Sequence, residues 1–145
     1  MMIGRDEIAR MIPHACAMCL LDGVLKWDQV SIRCVSARHR AEDNPLRRAG
    51  HLSAICGVEF AAQAMAVHGR LAGGVGRRPK AGYLASLRDV KCRRERLDLL
   101  EADLIIAAEL LMGDEQRVIY QFALDCAGIE MLSGRAAVVL EVAPE

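Results

Sequence analysis

The stretch GHLSAICGVEFAAQAMAVHG, from Gly50 to Gly69, constrains the fold more than any other part of the chain. Wound as a helix, its apolar residues do not form one stripe but run all the way round. A helix that is apolar on every side is buried on every side. In a domain of 145 residues this predicts a central helix wrapped by sheet, and Ala61, Ala62, Ala64 and Ala66 would let the strands approach closely. The spacing predicts a helix over Leu52 to Leu71, with Ser53 as its N-cap. One carboxylate, Glu59, interrupts the apolar run. No other acidic residue lies between Asp43 and Asp89, so Glu59 is not one charge among many on a solvated face.

The flanking chain supplies the sheet. Asp6 is placed to cap a short helix, EIARMI, that ends before Pro13. Met18 to Trp27 reads as a strand, and Val30 to Ser36 as a second with the alternation V-S-I-R-C-V. Ala37 to Gly50 is a polar loop containing Asn-Pro, and Leu71 to Gly82 is a Gly-rich basic linker. Four strand-like segments follow, Tyr83 to Cys92, Ala102 to Met112, Gln116 to Ala127 and Ile129 to Val142, with Gly113-Asp114 and Ala127-Gly128 as turns. A long helix followed by a run of strands predicts an α+β fold, and residues 1–145 read as a single domain.

Bulk properties narrow the function. Lys+Arg and Asp+Glu both number 19, which argues against nucleic acid as the main partner. No apolar run is long enough to span a membrane, and MMIGRDEIARMIPH lacks the pattern of a signal peptide. The six cysteines (16, 19, 34, 56, 92 and 126) lie mostly in apolar runs, as reduced core residues of a cytoplasmic protein would. Cys16-x-x-Cys19 has no second pair, so no metal site is expected. A hydrophobic fraction of 53% with 3% aromatics points to aliphatic surface buried between subunits.

Glu59 carries the chemistry. On a helix Ile55, Glu59, Gln63 and Ala66 share one face, so burial is expected to raise the pKa of Glu59 and Gln63 to hold its orientation. A carboxyl group kept partly protonated near neutral pH is suited to general acid catalysis. Backbone N–H groups at the helix N-terminus, Ala54, Ile55, Cys56 and Gly57, would offer an oxyanion site. His39 and His51 flank the helix on its loop side as candidate bases, whereas His14 and His68 look structural, His68 as a cap for the last helical carbonyls. The alternative is a buried Glu59 paired with an arginine for structure alone.

Several segments, in order, resemble hotdog-fold 3-hydroxyacyl-acyl carrier protein dehydratases. IPHACAMCLLDGVLKW is similar to their opening, GVEFAAQAMA to their central helix, and LASLRDVKCRR and LDLLEADLIIAAELL to the strands that follow. Glu59 and Gln63 match a Glu and a Gln on that helix. DNPLRR, GVEFAAQAMAVHG and GYLASLRDV resemble the thioester dehydratases of aryl polyene pigment clusters. The resemblance implies a long helix wrapped by an antiparallel sheet, a homodimer or larger assembly with one continuous sheet, and sites at the interface that join a His of one subunit to the acid of the other. One departure stands out. Pro45 occupies the position of the usual His, and His51 lies only eight residues before Glu59. A His ahead of the Asn-Pro pair favours His39, with His51 second.

The resemblance implies dehydration of 3-hydroxyacyl thioesters to enoyl thioesters. The substrate carries its own phosphopantetheine arm, and no metal or organic cofactor is called for. Acyl carrier protein is the implied partner, and Arg77-Arg78-Pro79-Lys80 or Arg93, Arg94 and Arg96 could dock its acidic surface. A thioesterase on the same fold and a non-catalytic acyl-binding subunit are the alternatives.

Overall fold

The computed structural model describes residues 3–12, 18–73 and 80–142. Its elements are β1 (Ile3–Gly4), α1 (Arg5–Met11), β2 (Gly23–Trp27), β3 (Ser31–Ser36), α2 (Gly57–Ala72), β4 (Lys80–Cys92), β5 (Leu104–Gly113), β6 (Arg117–Cys126) and β7 (Ile129–Val142). Short 3-10 turns cover Arg38–Arg40 and Ala54–Cys56. The seven strands form one antiparallel sheet in the order β1-β2-β3-β5-β6-β7-β4. This is the expected α+β arrangement, one long helix against a curved sheet.

Strand alternation sets the inner face. Ile32, Cys34 and Ser36 of β3, Leu104, Ile106 and Ala108 of β5, and Tyr120, Phe122, Leu124 and Cys126 of β6 are all buried. They meet Phe60, Ala61, Ala64 and Val67 of α2, also buried, in one core. Two glycines permit the closest approaches. A Cβ on Gly57 would stand 2.7 Å from Leu132 Cδ2 and 2.9 Å from Leu124 Cδ2, and one on Gly134 3.0 Å from Phe122 Cζ. The β6–β7 turn holds Ala127 and Gly128 at φ 52° and 80°, the mirror-image turn that suits hairpin twist.

Several boundaries differ from the sequence reading. β1 is additional, because a two-residue strand carries no periodicity. The strand expected from Met18 begins only at Gly23. Helix α1 starts at Arg5 without a side-chain cap, so Asp6 lies inside its first turn. Ser53 precedes a 3-10 turn rather than α2 itself and makes no side-chain cap. Residues 74–79 of the Gly-rich linker lie outside the described residues.

The largest correction concerns α2. It is not buried all round. Ile55 ahead of it, with Glu59, Ala66, Gly69 and Arg70, forms an exposed strip along one side. Strand β4 is the sheet edge that borders β7, and its Leu84 and Leu87 are 42% and 37% exposed. Both pair with residues on the inner face, Leu87 with buried Ala136 and Leu84 with Val138, so they face the helix layer without being covered by it. Alanine-rich helix surface can be read as core from sequence, but one chain supplies too little sheet to enclose it. Among the described residues, no helix is long and apolar enough to cross a membrane.

Candidate active site

The site is built on the approach to α2. The main chain turns back on itself at Ala49 (φ 52°) and Gly50 (φ 78°), with Arg48 and His51 exchanging both backbone hydrogen bonds, at 2.8 and 2.9 Å. His51 therefore sits at the end of a tight hairpin, exposed. Residues 52–54 then pair with 95–97: Leu97 N–H donates to Leu52 C=O and Ala54 N–H to Glu95 C=O, each at 2.9 Å. The 3-10 turn Ala54–Cys56 leads into α2, and Glu59 falls in its first turn.

Glu59 is exposed on the single chain, not buried as expected. The half-buried Cys56 thiol is pushed up by burial and further by the charge of Glu59, while Arg48 pulls it down. Arg48 and Glu59 thus both act on the same corner of the helix, next to the hairpin that carries His51.

Gln63 is turned away from Glu59. It is buried, and its Oε1 accepts from Leu20 N–H at 2.8 Å while Nε2 donates to Met18 C=O at 2.6 Å. A spacing of four residues advances 400°, which rotates Gln63 about 40° round the helix from Glu59. That shift takes it from the exposed strip to the core side, where it pins the segment before β2. It does not orient Glu59.

His39 is also withdrawn. It is wholly buried, its Nε2–H donates to Leu100 C=O at 3.0 Å, and Nδ1 has no hydrogen-bond partner. Desolvation is the main reason its pKa is lowered. Of the two candidate bases, His39 is thus buried against Leu100 C=O, whereas His51 is exposed. His68 bonds outside its own helix rather than capping the last helical carbonyls. Nε2–H donates to Asp28 C=O at 2.9 Å, which leaves Nδ1 to accept from Tyr120 O–H at 2.7 Å. Burial lowers the pKa of His68 and pushes the Tyr120 phenol up to about 12. His14 lies outside the described residues.

The expected oxyanion donors are mostly engaged. Ala54 N–H bonds Glu95 C=O, Cys56 N–H bonds Ser53 C=O at 3.0 Å, and Gly57 N–H bonds the carbonyls of Ala54 and Ile55. The 3-10 turn feeding α2 supplies acceptors that a bare helix terminus would lack. Ile55 is the one residue of the four whose N–H is not held in these bonds. Of the basic runs, Arg77 and Arg78 lie outside the described residues, Arg93 pairs with Glu130 at 3.2 Å and Arg96 with Asp98, so Arg94 is the exposed arginine left unpaired there.

Sequence reasoning missed Asp98. Its side chain is 5% exposed, and Oδ1 accepts from Leu52 N–H at 2.9 Å and from Arg96 Nε–H at 3.1 Å, while Oδ2 meets Arg96 Nη2. The Arg96 hydrogen bond holds this carboxyl far below the usual range. The signal was available. Asp98 is an acid set among Leu97, Leu99 and Leu100, as Glu59 is set in its own apolar run.

The two-layer arrangement is that of a hotdog subunit. Among chains of solved structure that share it, one comes from the ApeI:P dehydratase heterocomplex of Xenorhabdus doucetiae, with 24% identity over 92% of this chain and 90% of that one and a TM-score of 0.78. A thioesterase of Haemophilus influenzae aligns over 100% and 95% of the two chains at 11% identity and TM-score 0.69. A hypothetical thioesterase of Streptococcus pneumoniae, solved with coenzyme A, aligns over 84% and 87% at 10% identity and TM-score 0.57. No curated protein gives a significant match. The pattern of the ApeP-like family, ApeP dehydratase, matches residues 6–143, so the chain belongs to this family of dehydratases.

Proposed function

We propose that the protein dehydrates 3-hydroxyacyl thioesters carried on acyl carrier protein to trans-2-enoyl thioesters, in aryl polyene or related fatty acid biosynthesis. The observation that carries this reading is that Ile55, Glu59 and the inner face of β4 at Leu84 and Leu87 are all left uncovered, in a chain of the ApeP-like family. A charged group flanked by exposed apolar side chains suits a site completed by a second subunit. Docking a second hotdog subunit along the free edge of β4 would cover Leu84 and Leu87 and desolvate Glu59, which favours its protonated form.

In that site a base takes the C2 proton, and Glu59 delivers a proton to the departing 3-hydroxyl as the C–O bond breaks, releasing water. Among the described histidines, His51 is the one with an outward-facing ring, and it is the base this chain offers. Ile55 N–H is the donor left to the thioester oxygen. The thioester brings its own phosphopantetheine arm, and the chemistry asks for no metal. A second reading has the base supplied by a different hotdog chain. The Xenorhabdus doucetiae relative is a heterocomplex, which favours testing it.

The test is product analysis with a 3-hydroxyacyl carrier protein, the chain assayed alone and with its hotdog partner. An enoyl thioester supports dehydration; free acid and thiol would instead make it a thioesterase. Activity alone that disappears in His51→Ala supports His51 as base. Activity only with the partner, unchanged by His51→Ala, would move the base to the other chain.

A further inference from the structure

We propose that Asp98 is a positioning residue for the reaction, fixing the segment that joins His51 to the Glu59 helix. This rests on the dehydratase reading above. A carboxylate with a side chain only 5% exposed is costly to bury unless its lone pairs are filled. Here they are filled by two partners with different jobs. Arg96 takes both oxygens, through Nε at 3.1 Å and through Nη2, and fixes the carboxylate plane. The oriented Oδ1 then accepts from Leu52 N–H at 2.9 Å.

Leu52 stands at a junction. On one side it adjoins His51, which the Arg48 hairpin holds by its backbone alone, since the imidazole is exposed. On the other side Ser53 leads into the Ala54–Cys56 turn and α2. Leu52 C=O is already held by Leu97 N–H, so both polar backbone atoms of Leu52 are tied to residues 97 and 98. Without Asp98 the Leu52 N–H would lose its acceptor, and the Arg48–His51 hairpin would be anchored to this segment only through the Leu97 bond to Leu52 C=O and the buried Leu52 side chain, which leaves the His51 backbone less firmly fixed. The helix would keep its core packing through Phe60, Ala61 and Ala64, all fully buried. The expected damage is therefore to the relation between the hairpin and Glu59, not to the fold as a whole. Misplacement of a reacting group by about 1 Å can cost up to about 100-fold in rate.

The test compares Asp98→Ala, Asp98→Asn and Arg96→Ala with wild type, assaying dehydration of a 3-hydroxyacyl carrier protein together with its hotdog partner, at a temperature well below every variant's melting point. Asp98→Ala should lower kcat by about 10- to 100-fold with KM within about 2-fold, the signature of lost transition-state geometry. Asp98→Asn keeps an oxygen for Leu52 N–H but loses the charge that holds Arg96, and should recover part of the rate. Arg96→Ala should resemble Asp98→Asn. Tyr120→Phe, a core variant expected to lower stability, serves as the control and should keep kcat. Overturning results are a wild-type kcat in Asp98→Ala, or no recovery in Asp98→Asn. If Glu59→Gln is also fully active the dehydratase site itself is wrong; if Glu59→Gln is inactive while Asp98→Ala is active, only the inference about Asp98 fails.

Discussion

Replacing Gln63 separates its two possible roles, as a partner of Glu59 or as a core clasp. Gln63→Met keeps length and volume but removes both polar atoms. Leu20 N–H, in a residue with no exposure, is then left without an acceptor, and the bond to Met18 C=O is lost as well. An orphaned buried N–H costs about 1–3 kcal/mol and the second bond about 1, for a total of roughly 2–4 kcal/mol. Unfolding entropy of about 2.1 cal/mol/K per residue makes this a drop of roughly 7–13 °C in Tm. Gln63→Glu probes the same clasp by pH. One carboxyl oxygen can accept from Leu20 N–H, but the other meets Met18 C=O and needs a proton. The folded-state pKa is then raised above the unfolded value of about 4.3. Stability relative to wild type is greatest below that value and is lost as pH rises through the folded pKa. Urea unfolding of both variants against wild type, between about pH 4 and 8, reads all of this. A Gln63→Met protein that melts with wild type yet loses turnover would refute the clasp and return Gln63 to the active site.

Other variants test other parts of the structure. Gly57→Val drives a side chain against the fully buried Leu132 and Leu124, and overpacking of this kind costs about 1–3 kcal/mol, seen as a lower urea midpoint. His68 is buried and neutral, with its pKa lowered, so the unfolded chain binds the extra proton first. Stability is fully present above the unfolded pKa of about 6.5 and falls as pH drops below it. His68→Gln should flatten that slope between pH 7.5 and 5.5, with His39, lowered in the same direction, supplying what remains. Leu84→Lys with Leu87→Lys should shift the protein to a smaller species in light scattering, because both exposed leucines sit on the β4 face proposed for subunit contact.

The sequence made the fold legible where period and punctuation agree. V-S-I-R-C-V alternates and β3 follows it; Ala127-Gly128 marks a hairpin and the chain turns there. Glu59 was legible because a charge inside an apolar run needs a reason. Side-chain direction was less legible. Glu59 and Gln63 are one turn apart, yet one faces outward and the other reaches the backbone of residues 18 and 20, a long-range contact with no local signature. His39 and His51 both read as loop histidines. The burial of the first of them against Leu100 C=O, a long-range contact, tells them apart. The apolar circumference of α2 hid its exposed strip, because alanine fits a core and a subunit interface equally well.

Glu59→Gln removes the proposed proton donor while leaving the rest of the helix unchanged. The side chain keeps its size and its position on an exposed strip, so the fold is expected to be untouched. What it loses is the proton it can give. Turnover of a 3-hydroxyacyl carrier protein, followed as enoyl thioester formed, should fall by about 100- to 10,000-fold, the usual worth of a positioned general acid. KM should change little. A Glu59→Gln protein that forms enoyl thioester at the wild-type rate would contradict the account.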